Sequence, residues 1–170
     1  MRIGGGAVSI ADVTDREARD LGFLRPFWLN EIRNGRAFMG GANLAASVGD
    51  NGHIQLHNPG GSGITVIVFS ISHAVYADGT ITLRVHDTAI TTNTGNGQNL
   101  LRGGTGPVGD IRTVDNAGSL GTTMGSQAVL ANTPFFWTEA WGIELGAGEG
   151  VLVTGDSNVR HACTYLWIEV

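Results

Sequence analysis

Short apolar runs separated by Gly, Asn, Asp and Pro fill the chain from residue 41 onward. Runs of this length, bounded by turn-forming residues, are typical of β-strands. We predict strands at residues 43–48, 53–57, 64–76, 80–87, 110–114, 127–130, 135–141, 150–154 and 163–170. This number of short strands predicts an all-β fold, an antiparallel β-sandwich of the jelly-roll kind, over residues 41–170.

The longest predicted strand, residues 64–76, carries apolar side chains on both faces. Val66 and Val68 share one face, and Ile67 and Phe69 share the other, because side chains alternate along a strand. A sandwich strand normally keeps one polar face in water. We therefore expect an N-terminal arm or a neighbouring subunit to cover the second face.

Two connections stand out in the β-rich region. Residues 77–79, Ala-Asp-Gly, form the best hairpin signal of the chain. Residues 88–133 are rich in Gly, Thr and Asn, and an unstructured connection of that length is uncommon unless it is functional. We predict that this segment forms projecting loops with two short strands embedded in it.

The first 40 residues have a different character, and we assign residues 1–40 to a docking arm that precedes the sandwich. Thr14 and Glu17 form a capping box, and Gly22 supplies a stop, so a short helix is predicted over residues 13–22. The rest of the arm shows no sustained period of 3.6 or 2.

Large apolar residues in the second half of the arm exceed what a solvated tail carries. They must pack either on this domain or on another subunit, and the sequence leaves both readings open. For the second reading, the predicted partner interface consists of Leu24, Phe27, Trp28 and Phe38.

Charge narrows the function classes. Only 15% of the residues are charged, against about 25% in ordinary domains, which fits either long polar loops or, as we favour, faces covered by neighbouring subunits. The net charge of -5 argues against nucleic-acid partners, and no apolar run is long enough for a membrane helix. All ten basic residues are arginines, so lysine-dependent chemistry, a Schiff base or a Walker loop, is excluded. We also expect no export signal at residues 1–6.

Residues 104–109 match G-x-G-x-x-G, but Pro107 and the residues that follow predict a loop and then a strand. A dinucleotide site needs a strand before this motif and a helix after it. We therefore predict no cofactor.

Acid–base and nucleophilic groups form no convincing catalytic set. The nearest nucleophilic sets combine His161 with Ser157 and Asp156, or with Cys163, and no nucleophile elbow accompanies them. Paired carboxylates come without a legible cleft; the pairs are Glu139 with Glu144 and Asp110 with Asp115. We predict that the protein is not an enzyme.

The five histidines raise the question of a metal site. His53 and His57 share a strand face but lie about 13 Å apart, too far for one ion. His73 stands alone in an apolar run, so we predict structural histidines and no metal. Cys163 reads as a small buried hydrophobe.

Aromatic residues support one alternative. Tryptophans on a β-sandwich stack sugars in many carbohydrate-binding modules, but Trp137, Trp141 and Trp167 sit in apolar strands and favour the core. A carbohydrate- or receptor-binding module, using the loops of residues 88–133, remains the alternative function.

Several short motifs are similar to a known class of proteins. The closing segments 133–137 (TPFFW), 144–153 (ELGAGEGVLV) and 163–170 (CTYLWIEV) resemble the last strands of β-sandwich proteins in tailed-bacteriophage virions. Residues 57–66 (HNPGGSGITV) and 12–22 (DVTDREARDLG) are similar to two further segments of those proteins.

The resemblance implies a non-enzymatic virion component, such as a capsid decoration protein, a head-fibre base or a tail-associated subunit. Such a protein would be made in the host cytoplasm and would function in the virion as a symmetric homo-oligomer, with a trimer preferred. Its partners would be itself and other virion proteins, bound through the arm at residues 3–38. The loops of residues 88–133 are the candidates for contact with a glycan or host receptor.

Overall fold

The computed structural model describes residues 25–90, 92–116, 118–137 and 142–170, which form one helix and two antiparallel β-sheets. Helix α1 spans Arg25–Arg33. Sheet A contains β1 (Ala37–Ala45), β3 (Val66–Val75), β6 (Gln98–Asn99), β9 (Phe135–Trp137), β10 (Ile143–Leu145) and β12 (Arg160–Glu169). Sheet B contains β2 (Asn51–His57), β4 (Gly79–Val85), β5 (Thr92–Asn96), β7 (Asp110–Asn116), β8 (Thr122–Val129) and β11 (Gly150–Gly155).

The strand order is that of a jelly roll with an insertion. Sheet A runs β10–β3–β12–β1–β6, with β9 also paired to β3, and sheet B runs β5–β7–β2–β11–β4–β8. Without β5, β6 and β7, sheet A keeps the order β1–β12–β3–β10, with β9 also on β3, and sheet B keeps β2–β11–β4–β8, which is the strand order of a jelly roll. The predicted antiparallel β-sandwich is therefore confirmed.

The predicted hairpin at residues 77–79 is wrong. Its flanking strands belong to different sheets, since β3 lies in sheet A and β4 in sheet B. The turn residues end one strand and start the next, but they do not decide which strands pair. Asp78 fixes the corner by accepting a hydrogen bond from the backbone of Ala131, with an N···O distance of 2.8 Å.

Residues 88–133 contain the two predicted strands, as β7 and β8, but they also form β5 and β6, which were not predicted and which add a strand to each sheet. β5 pairs with β7 at the edge of sheet B, and β6 pairs with β1 at the edge of sheet A. Glycine-rich and Asn/Thr-rich strands such as β5 and β8 lack the apolar alternation by which strands are recognised. β10, which pairs with β3, was missed as well.

The boundary predicted between residues 40 and 41 falls inside β1, which begins at Ala37. Two adjacent glycines in β1 weaken the strand signal. At Gly40, an added Cβ would lie 3.1 Å from the Trp167 ring; at Gly41, it would collide with the Cys163 carbonyl oxygen. These glycines therefore permit a close approach of β1 to β12.

The core lies between the sheets and consists of the inward-facing aliphatic and aromatic side chains of both. Trp167, fully buried, stacks on Phe38 with ring centroids 5.9 Å apart. Tyr165 crosses the core and donates its hydroxyl to the Ile54 carbonyl at 2.6 Å. The Tyr165 hydrogen bond therefore joins the two sheets, and the ring contact joins β1 to β12 within sheet A.

Helix α1 ends in a Schellman motif. Gly35 adopts a φ of 69°, the Arg36 N–H donates to the Glu31 carbonyl at 2.9 Å, and the Gly35 N–H donates to the Ile32 carbonyl at 3.0 Å. The sequence showed no period here, so this helix was not predicted, and the predicted helix at residues 13–22 lies outside the described residues. Within the described part of the chain, no helix is long and apolar enough to span a membrane.

Candidate docking surface on sheet A

The outer face of sheet B is covered at β2 by the chain itself. His53, Gln55 and His57 alternate with core residues of β2 and point away from sheet A, yet all three are buried. The cover is the segment after β4, because the Gln55 amide donates to the Thr88 carbonyl at 3.1 Å and accepts from the Ile90 N–H at 3.0 Å. Sheet B therefore offers little open surface at β2.

One end of the outer face of sheet A is covered by α1. Phe27 and Trp28 contact the ring of Phe69, with centroid distances of 5.9 and 5.1 Å. Ala37 and Ile168 oppose each other on this face and are fully buried. The cover expected over the second apolar face of β3 is thus provided in part by the helix that precedes the sandwich.

A β-bulge aims Phe69 at the helix. Val68 pairs with Trp167 and Ser70 pairs with Leu166, so Phe69 is an extra residue on β3 with no register partner on β12. Bulges commonly redirect a side chain in this way. The bulge fixes where α1 sits, and with it the point at which the N-terminal segment reaches the sheet.

Beyond α1, the outer face of sheet A is a floor of small side chains. Gly41, Thr164 and Ser72 oppose one another across β1, β12 and β3, and Phe136 of β9 follows Ser72. Thr164 and Gly41 are exposed, and Phe136 is 60% exposed. The floor is flat, lightly polar and open.

The far end of the floor is polar. Arg160 lies over the Tyr76 ring, 5.0 Å from its centroid, and donates to the Asn43 side-chain oxygen at 2.9 Å. Tyr76 is exposed. Its stacking with Arg160 holds the ring at the border of the face.

We call this region the sheet A docking face. It is bounded by α1 and by the Tyr76–Arg160 pair, and its exposed large apolar side chains are Phe27, Met39 and Phe136, with exposed fractions of 43, 46 and 60%. Their clustering around one sheet face is typical of an interaction surface, whereas single scattered apolar residues are not.

The four predicted interface residues fall into three groups. Leu24 lies outside the described residues. Phe27 and Trp28 lie on α1, where Phe27 stays 43% exposed although its ring contacts Phe69. Phe38 lies in the core instead, 4% exposed, because β1 begins earlier than predicted and turns this ring towards Trp167.

Met39 and Phe136 were not predicted as surface residues. They are exposed because each points to the opposite face of its strand from its buried neighbour, Phe38 or Trp137.

The catalytic candidates are not brought together. His161 is buried and bonds to another histidine, whereas Asp156 accepts a hydrogen bond from the Thr80 backbone at 2.6 Å. Asp110 pairs with Arg112 at 2.7 Å, and the Asp115 carboxylate accepts from the Ser47 backbone. Glu144 is exposed on β10, and Glu139 lies outside the described residues.

The glycine motif at residues 104–109 is a loop before β7, as its composition predicted. Its backbone is held by Glu169, whose carboxylate accepts from the Val108 N–H at 3.0 Å and the Gly109 N–H at 2.9 Å. The carboxylate occupies the backbone donors that a phosphate would need.

His73 is not alone. Its Nε2 and the Nδ1 of His161 lie 2.7 Å apart in a buried hydrogen bond. Burial, followed by repulsion from His161, lowers the pKa of His73 to about 3, and burial lowers the pKa of His161 to about 4. Both rings are therefore neutral near pH 7.

The two histidines of β2 have separate partners, His53 with Thr154 at 2.9 Å and His57 with Asp110 at 3.5 Å. Burial lowers the pKa of both. Among the described residues, no group of three or more His, Cys, Asp or Glu side chains could hold a metal ion.

Cys163 is buried as predicted, and burial raises the pKa of its thiol to about 12. A thiol that stays protonated is a poor nucleophile. Trp137 and Trp167 are core residues, as predicted, and Trp141 lies outside the described residues.

Comparison with known proteins adds no relative. No protein-family model, curated protein or solved structure matches the chain.

Proposed function

We propose that this protein is a non-catalytic structural subunit that docks on neighbouring subunits through the sheet A docking face and the N-terminal arm. The observation that carries the proposal is the difference in cover between the two outer faces. The centre of sheet B, at β2, is covered by the chain's own insertion, whereas the outer face of sheet A leaves Phe27, Met39 and Phe136 exposed around the point where α1 packs on it.

The finer proposal is a tailed-bacteriophage virion component, a capsid decoration or head or tail accessory protein, assembled after synthesis in the host cytoplasm. It is supported by the resemblance of the closing strands and by the low charge of 15%. A jelly-roll order is compatible with many functions, so the fold alone does not argue for this one. On the same resemblance, a trimer is the preferred oligomer.

A test separates the docking face from other exposed apolar residues. The double variant Phe27→Ser, Phe136→Ser removes two rings from the docking face, and Met124→Ser, Leu130→Ser removes two exposed apolar side chains at the β8 side of sheet B. Multi-angle light scattering should give an oligomer for the natural chain and the control, and 17.8 kDa for the docking-face variant.

Circular dichroism melting must accompany this measurement, since only a folded monomer supports the proposal. A docking-face variant that assembles like the natural chain would contradict it.

A second candidate function rests on the polar end of the same face. Exposed Tyr76, with Asn43 and Arg160 beside it, provides a ring and hydrogen-bonding groups of the kind that bind a sugar. Binding of the monomeric docking-face variant to a glycan array, lost in Tyr76→Ala, would favour a carbohydrate- or receptor-binding module. No binding would leave the structural subunit as the better account.

A further inference from the structure

One side of β1 has backbone groups without partners. All nine residues of β1 pair with β12, but on the opposite side β6 pairs only with Phe38 and Met39. For residues 41–45, the described part of the chain supplies no backbone hydrogen-bond partner on that side. This stretch is a free sheet edge.

The direction of the unpaired groups follows from one hydrogen bond. Leu100 donates its N–H to the Ala37 carbonyl at 2.9 Å, so the backbone groups of Ala37 point away from β12. Because backbone groups alternate sides along a strand, those of Gly41, Asn43 and Ala45 also point to the free edge. All three residues are exposed.

The other edge strands among the described residues are less suited to pairing with an added strand. β8 and β5 are joined to their neighbours with register shifts, and β9 and β10 have three residues each. β1 pairs with β12 over nine consecutive residues without a shift. Its sequence, AFMGGANLA, contains neither charge nor proline, the usual protections of an edge.

A shallow depression lies over β1, between the free edge and the neighbouring strand β12. Its volume is about 420 Å³, and it is lined by five consecutive residues of β1, 39–43, and by Cys163 and Thr164. Such a depression can accept side chains of an added strand, whose backbone would pair with the edge.

The chain itself contains a segment suited to this edge. Residues 3–10, IGGGAVSI, are uncharged and include β-favouring Val8 and Ile10, and charged residues flank the segment at Arg2 and Asp12. The 14 residues from 11 to 24 connect this segment to α1 and span up to about 46 Å when extended. That length reaches beyond the subunit's own sheet, whose strands are about 4.8 Å apart.

We propose that the free edge of β1, residues 41–45, binds residues 3–10 of a neighbouring subunit as an added antiparallel or parallel strand. This inference rests on the proposed docking function, since it names the place at which the arm of one subunit meets the next. Each exchanged arm adds backbone hydrogen bonds and closes the edge.

Two substitutions at one position test the edge. Asn43→Ala and Asn43→Pro both remove the side chain that bonds to Arg160, but only the proline removes the N–H that points to the free edge. We expect Asn43→Ala to keep the mass of the natural oligomer and Asn43→Pro to fall to 17.8 kDa while remaining folded. A folded Asn43→Pro chain with the natural mass would overturn the inference.

Cysteine cross-linking covers the case in which Asn43→Pro does not fold. Chains carrying Ala7→Cys and chains carrying Asn43→Cys are mixed, allowed to exchange subunits and oxidised; buried Cys163 does not compete. Residues 7 and 43 lie near the middle of the two segments, so they oppose each other whether the added strand is parallel or antiparallel. We expect a disulfide-linked pair from this mixture and none when Gln127→Cys, on the β8 edge, replaces Asn43→Cys.

The outcomes separate the two proposals. An oligomer without the cross-link would overturn strand addition and leave the docking function standing. A cross-link formed only within a single chain that carries both cysteines would show that the arm closes its own edge, which also overturns the proposed occupant. A monomeric natural chain would overturn the docking function and the inference together.

Discussion

The two outer faces of this sandwich are treated differently by the chain. Over sheet B, the segment after β4 returns to the face and bonds to Gln55, and the two buried histidines of β2 contact Thr154 of β11 and Asp110 of β7. Over sheet A, a nine-residue helix covers one end, and the remaining floor of small side chains stays open. The insertion thus covers β2 of sheet B, whereas the described residues leave the floor of sheet A uncovered.

The difference in cover bears on which face of the sandwich has a structural role and which is available to a partner. A face that buries its own polar groups with hydrogen bonds has a structural role, because those groups are costly to leave unpaired. A face with exposed aromatic and aliphatic side chains and a free edge lacks such internal cover. For this reason the proposals concern sheet A.

The largest expected effect is the loss of stability when the ion pair between Asp110 and Arg112 of sheet B is removed. Asp110→Ala removes the partner of the Arg112 guanidinium, now 2.7 Å from the carboxylate, and leaves a largely buried charge unpaired. We expect the free energy of unfolding to fall by about 3 kcal/mol. Urea titration followed by tryptophan fluorescence measures this fall.

The matched control is Glu144→Ala, an acidic residue that is exposed on β10 of sheet A. Its effect should stay within about 0.5 kcal/mol. Equal losses for the two variants would mean that the two sheets do not differ in the way described.

A smaller effect is the loss of folding stability at acidic pH, where the buried histidines become protonated on unfolding. His73 and His161 have pKa values of about 3 and 4 when folded, against an ordinary 6.5, so between these values the unfolded chain binds more protons. Their contribution is present in full above about pH 6.5 and is lost as the pH falls towards 4. From pH 7.5 to pH 5, each histidine should cost about 2 kcal/mol of stability.

The double variant His73→Leu, His161→Leu should lose less stability over the same pH range, because it has no buried pair to protonate. Urea titrations at pH 7.5 and pH 5 measure the difference. An unchanged pH dependence in the double variant would contradict the assignment.

The sequence predicted the fold class but not the surface that distinguishes the two sheets. β3, β11 and β12 are rich in apolar and β-branched residues, which makes strands of this kind recognisable. β1 was placed too late because Gly40 and Gly41 interrupt its apolar run. Their requirement comes from the close approach of β12 and Trp167, which a single sequence does not reveal.

The candidate site depended on register, which turn and strand patterns do not specify. Phe38 and Phe136 have similar sequence surroundings, but Phe38 points to the inner face of its strand and is buried, whereas Phe136 points to the outer face and is exposed. The His73–His161 pair likewise exists only because β3 and β12 are neighbours in sheet A, 88 residues apart along the chain.

The central claim is that the open side of sheet A, together with the arm, joins subunits. The most direct test is the solution mass of the full chain and of a chain lacking residues 1–24, measured by light scattering at equal concentrations. We predict a discrete oligomer for the full chain, three times 17.8 kDa if the trimer is correct, and a folded monomer for the shortened one. A full chain that stays monomeric at all concentrations, or a shortened chain that assembles equally well, would contradict the account.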